Sequence, residues 1–600
     1  MPSLLRATFL PALAAASLGL AWALRRARWG ERGGGTAAWL ATLAFACLAV
    51  RWPDANRHRV WAALVRDAPV AAQSLAGVAL ALAPGVLVAE AWLASAPSRL
   101  AWALLAAACG AWAAVYPALP MHLSAPDFDD FFVVDKFLGV VARDWGNDKP
   151  FFTVWDYAYR ALEPLAALSP LERFRVNGWF ALVYTVGLGL WLRRCFEALP
   201  DGPARRALPW LLALHLGPVV LSHTLSYELP CGAWVVAVAL LLERLHESSA
   251  PPLAVIAALA LARSLQAGGH NATAAAWLPV YAHGVLVLRA RGASAGEVAW
   301  GVVLGASGAA GFARGELGAV TNTVSGFDAA RFGRVLAWGW APLAACVASA
   351  AAALRWREGA GAVKRWALDA WRAPRATHAA AVYLAAGAFI YLSANQDNLG
   401  LPRPGAFALE RELPWDYGAN HARYALFFYP ALVAMLGAAA LRAKPLGLAL
   451  LALFPPWWNG AYVTRFYRPP PGHALIEGGY HGNSRYLALA RARLRGLRSV
   501  AYLPIPRDHG DHFLALAARP DLKVSSVCGR GVGPGEPMII TSHTADVLRR
   551  EGAPPGFAEL AREDVTLTTA GALPPTALAR WCERPSLRPR VHFSEEPITP

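Results

Sequence analysis

Long apolar runs decide what this chain can become. Ala7–Leu24, Val176–Leu192, Ala376–Ala394 and Tyr424–Leu441 each have the length that, as helix, matches the hydrocarbon thickness of a bilayer. About fourteen candidate spans can be counted, several short or interrupted by Pro or Gly. Charged residues fall between the runs rather than along one face of them, which argues against a large soluble helical protein. Composition agrees: 56% of the 600 residues are hydrophobic and only 16% charged, too apolar for an ordinary soluble enzyme.

The formal net charge of +16 would point to nucleic acid in a soluble protein. Here the cations cluster in short connections, so the positive-inside rule accounts for much of the excess and nucleic acid is not an expected partner. Anionic lipid or phosphate can use the remainder. Arg193, Arg194, Arg205 and Arg206 form one basic connection, Arg289 and Arg291 a second, Arg355–Arg375 a third, and Arg442 with Lys444 a fourth. Placed in the cytoplasm, these four put His122–Arg175, Ser222–Pro230, Arg314–Gly333 and Asn395–Asn420 outside, together with the C-terminal region. The N-terminal run, preceded by Arg6 and followed by Arg25, Arg26 and Arg28, reads as a retained span. Arg51, Arg57, Arg59 and Arg66 do not fit strict alternation, so the orientation of the first three spans stays open.

The expected fold is an all-α polytopic transmembrane bundle with a small extracytoplasmic α/β domain. Residues 1–98 hold extra N-terminal spans, 99–460 a transmembrane core with a large outside loop at 121–175, and 461–600 the soluble domain. In that loop, Phe131, Val134, Leu138 and Val141 follow helical spacing, as do Phe151, Val154, Ala158, Ala161 and Leu165. Both sets read as surface helices, packed on the membrane or on the protein. Beyond Pro469-Pro470-Pro471 the pattern alternates: helix-like Ser484–Arg495, strand-like Ser499–Leu503, helix-like Asp511–Ala518, strand-like Lys523–Val527 and Pro537–Thr541, helix-like Ala545–Glu551. Seven cysteines are scattered without a CxxC pair. Five read as small core residues, and only Cys528 and Cys582 share a soluble region where a disulfide could form.

Several polar groups stand where chemistry could occur. Asp127, Asp129 and Asp130 open the large loop. Close carboxylates raise one another's pKa or share a cation, which suits a general base or metal-assisted transfer; the same residues also suit a helix N-terminus. The Asp127-Phe128-Asp129 pattern permits a divalent cation, Mg or Mn, without requiring one. Lys149, in Asp148-Lys149-Pro150, is either a phosphate ligand or an exposed lysine. Glu228 closes a short hairpin at the membrane face, where carboxylates are often functional. His270, in Gly268-Gly269-His270-Asn271, reads as a structural histidine or a substrate contact. Among many outside arginines, Arg403 and Arg423 are candidates for gripping a phosphate.

The order of these features resembles the GT-C superfamily of membrane glycosyltransferases, such as protein O-mannosyltransferases and bacterial aminoarabinose transferases. A span leads to Asp127-Phe128-Asp129-Asp130; two surface helices follow, the second opening with Asp148-Lys149-Pro150; Leu171–Val176 leads into a span ending in Arg193-Arg194; a tight pair of spans then turns through Tyr227-Glu228. The resemblance covers residues 99–290. It implies a polyprenyl-phosphate sugar donor and inverting hexosyl or pentosyl transfer to a lipid, glycan or protein acceptor on the outer face. It implies Asp127 as catalytic carboxylate with Asp129 beside it, Glu228 as acidic partner, and Lys149 near the family's His-Pro-Pro stretch. The chain departs from that stretch, keeping only Pro150, and about three extra spans precede the acidic loop. Alternative readings are a transporter or scaffold, and a degenerate relative that binds polyprenyl phosphate without transfer. The Ala-rich composition and the absence of organellar signals favour a bacterial inner membrane.

Overall fold

The computed structural model describes residues 2–27, 70–115, 158, 161–162, 164–165, 176–197, 203–214, 216–222, 228–268, 275–325, 359–376, 378–383, 426, 429–430, 433–434, 484–502, 515, 519, 522–527, 533–541 and 565–568. The chain divides into two compact units. The first holds helices α1 (Pro2–Arg26), α2 (Val70–Ala94), α3 (Arg99–Val115), α4 (Asn177–Cys195), α5 (Pro203–Ala213), α6 (Leu216–Leu221), α7 (Glu228–Glu247), α8 (Pro252–Gly268), α9 (Leu278–Ala290), α10 (Ala295–Ser325) and α11 (Gly359–Arg372). The second holds α12 (Ser484–Arg493) and a four-stranded sheet.

Among the described residues, three helical stretches of the first unit are long and apolar enough to cross a membrane: Thr8–Arg26, Gly77–Ala94 and Glu228–Glu247. Pro252–Gln266 and Leu278–Ala290 are apolar but shorter. Helix α4 forms over the expected run, yet Asn177, Arg193 and Arg194 lie within its 19 residues and shorten its purely apolar length. The return between α4 and α7 is broken into α5 and α6, with Pro209 inside the first and Pro218 inside the second. Helix α3, in the span expected before the acidic loop, is 17 residues long, and the expected runs 376–394 and 424–441 lie largely outside the described residues.

The core of the first unit is α7, buried along most of its length and packed on α2 and α4. Its organising feature is Pro84 inside α2. A proline has no N–H for the carbonyl four residues back and its ring pushes that carbonyl aside. The carbonyl in question belongs to Leu80, and the Trp234 indole N–H of α7 donates to it at 3.1 Å. The next carbonyl, of Ala81, accepts from the Trp179 indole N–H of α4 at 2.7 Å. Both indoles are fully buried. Gly85 makes room for them, since a Cβ there would come within 2.4 Å of the Trp179 ring.

The same solution recurs at Pro430. Its missing N–H leaves the carbonyl of Leu426 without its helical donor, and the Tyr184 hydroxyl of α4 supplies one at 2.8 Å. Tyr429, on the same segment, donates to the carbonyl of Leu212, at the end of α5, at 2.8 Å. Apolar surroundings offer no water to such carbonyls, so each needs a side-chain donor.

Helices α9 and α10 form a tightly closed hairpin. Gly292, at φ +68°, lets the backbone turn left-handed, and the amides of Gly292 and Ala293 return to the carbonyls of Arg289 and Leu288. Ser294 and Glu297 then cap α10 reciprocally: the Glu297 carboxylate accepts from the Ser294 amide at 2.7 Å, and the Ser294 hydroxyl from the Glu297 amide at 3.3 Å.

In the second unit the strands run β1 (Ser499–Tyr502), β2 (Lys523–Ser526), β3 (Met538–Thr541) and β4 (Val565–Thr568), in spatial order β2-β1-β3-β4. The first three are mutually parallel and β4 is antiparallel to β3. Helix α12 and strands β1 to β3 lie where the alternating pattern places them, with α12 ending two residues early; β4 was not expected. Val500, Ala501, Met538, Ile539 and Ile540 are completely buried, as expected of near-continuous apolar strands covered on both faces. Gly496, at φ +80°, follows α12, and the Arg519 guanidinium donates to the carbonyls of Leu494 and Leu497 at the same end.

Trp234→Phe leaves the Leu80 carbonyl without a donor and is expected to cost about 1–3 kcal/mol. Adding Pro84→Ala restores the backbone N–H, so the double variant should unfold at a higher temperature than Trp234→Phe alone. Thermal unfolding in detergent reads this directly, and additive losses would contradict it.

Candidate functional site

Polar groups gather at the two ends of α7, about 28 Å apart at 1.5 Å of rise per residue. Glu228 occupies the first position of the helix and is only 3% exposed. A carboxylate there lies at the positive end of the helix dipole. Nearby in sequence, the last residues of α6 lead to Ser222, which is completely buried and donates to the carbonyl of Val219 at 2.6 Å.

The opposite end is more elaborate. Arg194, in the last turn of α4, bridges Glu197 at 3.0 Å and Glu247 of α7 at 2.9 Å. Arg244 of α7 pairs with Glu90 of α2. One residue earlier, Glu243 lies 3.0 Å from His283 Nε2 of α9, both side chains buried. Tyr383 stands edge-on to His283, at 6.1 Å between ring centroids, and to Trp191, at 5.8 Å. His283 Nδ1 and the Tyr383 hydroxyl have no hydrogen-bond partner among the described residues. Buried polar atoms of that kind need a reason.

The charged ring borders a cavity of about 240 Å³, to which α2, α4 and α7 bring their C-terminal ends. A separate polar cluster links α8, α9 and α10: the Tyr281 hydroxyl donates to Gln266 at 2.6 Å, and the Gln266 amide donates to the carbonyl of Gly308 at 3.0 Å. A side chain at 308 would strike both residues.

Of the residues singled out from the sequence, only Glu228 is described. Asp127, Asp129, Lys149, His270, Arg403 and Arg423 lie outside the described residues. Among the described residues no group of three or more His, Cys, Asp or Glu is placed to hold a metal ion; the two aspartates that could share a cation are not among them. Cys109, Cys195 and Cys231 are buried free thiols, as read from their positions in apolar runs.

Sequence reasoning missed Glu243, His283 and Glu90. The available signal was an ionisable residue at the end of or within an apolar run, as in Leu240-Leu241-Leu242-Glu243 and Tyr281-Ala282-His283-Gly284. No spacing rule links Glu243 to His283, because only helix packing brings them together.

No protein-family model, curated protein or solved structure matches this chain.

Glu243→Gln and His283→Phe should each lower the unfolding temperature. A double-mutant cycle on the pair should return a coupling of about 0.5–3 kcal/mol; a coupling of zero would show that the contact contributes nothing.

Proposed function

We propose that this chain is a multi-pass membrane glycosyltransferase of the GT-C type. It transfers a sugar from a polyprenyl-phosphate donor to a lipid, glycan or protein acceptor on the outer face of a bacterial inner membrane, where the C-terminal domain also lies. The observation that supports this most is Glu228: a buried carboxylate at the N-terminus of a candidate span, at the end of α7 remote from the arginines of α4. The sequence order of Asp127, Lys149, Arg193-Arg194 and Glu228 supplies the rest of the case.

In this reading Asp127 takes the proton of an acceptor hydroxyl. The hydroxyl oxygen bonds to the anomeric carbon as the bond from that carbon to the donor phosphate oxygen breaks, inverting the centre. Polyprenyl phosphate leaves with the electron pair, and Lys149, Arg403 and Arg423 balance its growing charge, with His270 against the substrate. Asp129, with or without Mg or Mn, and Glu228 complete the acidic side.

One observation favours a second reading, a transporter. Glu243 and His283 are a buried ionisable pair inside apolar helices, and such pairs often mark ion pathways.

The test is transfer of labelled sugar from polyprenyl-phosphate donors in proteoliposomes. Asp127→Asn should lower the rate by at least about 100-fold, the usual contribution of a general base, and Glu228→Gln should also lower it. Absence of transfer by the wild type, with proton-coupled solute uptake that Glu243→Gln abolishes, would favour the transporter.

A further inference from the structure

We infer that the cavity at the arginine-rich end of α2, α4 and α7 binds the headgroup of a phospholipid carrying both a phosphodiester and a protonated primary amine. Across the last turn of α4 and α7 the lining passes from apolar to charged, from Leu190 to Arg193 and Arg194, and from Leu240 to Glu243 and Arg244. On α2 it passes from Ala91 to Ser95. One helical turn is about 5.4 Å, so the three helices change character together, as the wall of a lipid site must between acyl chain and headgroup.

The charges select the headgroup. Arg193, Arg194 and Arg244 line one cavity together with Glu197 and Glu243. A simple anion would lie beside two carboxylates, and a simple cation beside three guanidiniums. A headgroup with both signs satisfies both sets of charges. Arg194 and Arg244 are already engaged by Glu197, Glu247 and Glu90, and buried Glu243 by His283, whereas Arg193 is exposed and makes no ion pair among the described residues; of the two lining carboxylates, Glu197, half-exposed and bonded to Arg194 through one oxygen, is the one an ammonium reaches. It is therefore the phosphate ligand, with the fork geometry that phosphate oxygens prefer. All three helices turn their C-termini toward the cavity, and the negative end of the helix dipole adds to the carboxylates in favouring an ammonium. Basic pockets between spans are recurrent headgroup sites; the two glutamates make this one zwitterionic. The inference needs the helices to span a membrane but not the glycosyl transfer proposed above.

The test is native mass spectrometry of the delipidated full-length protein in detergent, titrated separately with phosphatidylethanolamine, phosphatidylglycerol, phosphatidylcholine and inorganic phosphate. The wild type should retain phosphatidylethanolamine over the other two lipids, since phosphatidylglycerol lacks the amine and phosphatidylcholine lacks its N–H donors. Arg193→Gln should lower that occupancy about tenfold, the loss expected for one charge-assisted contact. Arg206→Gln, an exposed arginine outside the cavity, should not. Equal retention of the three lipids, unchanged binding by Arg193→Gln, or displacement by millimolar inorganic phosphate would overturn the inference. The comparison among lipids uses wild-type protein alone, so it stands even if a variant misfolds.

Discussion

The first unit depends on the kink at Pro84. A proline in the middle of an apolar helix leaves the carbonyl four residues back with no donor, and in hydrocarbon no water replaces it. Trp179 and Trp234 answer from α4 and α7, and in doing so lock three helices to one point. Tyr184 repeats the device beneath Pro430. The aromatic residues are therefore hydrogen-bond donors as well as core volume, and their positions fix the rotation of α4 and α7 about their own axes. That rotation decides which side chains of α7 face α9 and which face the cavity.

Once α7 is held, its two ends acquire different chemistry. At one end Glu228 is buried at a helix N-terminus. At the other, arginines of α4 and α7 interlock with glutamates of α2, α4 and α7, and Glu243 meets His283. Buried charges such as Glu243 and His283 are weak contributors to stability compared with well-packed apolar residues. Their presence in apolar helices is better explained by function than by folding. The contrast between a buried carboxylate at one end and a ring of arginines and glutamates at the other is what one expects if the two ends face different compartments and different ligands.

How much of this could be read from the sequence follows from the range of each interaction. Local patterns carried the candidate spans at Thr8–Arg26 and Glu228–Glu247, the strands at 499–502, 523–526 and 538–541, and Glu228 as a carboxylate needing an explanation. They are set by apolar periodicity and by neighbours within a few residues. The broken α5–α6 return was foreshadowed only by Pro209 and Pro218. The bonds from Trp234 to Leu80 and from Glu243 to His283 were not readable, because they join residues distant in sequence through helix rotation and packing. Strand β4 was missed because Val565–Thr568, no shorter than the other strands, lies beyond the alternating pattern that revealed them.

The central functional claim is that this bundle holds a lipid-linked sugar donor by its phosphate, and the most direct measurement is the mass of what copurifies with the intact protein. Native mass spectrometry should show a polyprenyl phosphate, with or without its sugar, that is released by paired Arg403→Gln and Arg423→Gln substitutions and not by Arg193→Gln. Ordinary phospholipids alone on a folded wild-type protein would contradict the account and leave a transporter or scaffold in its place.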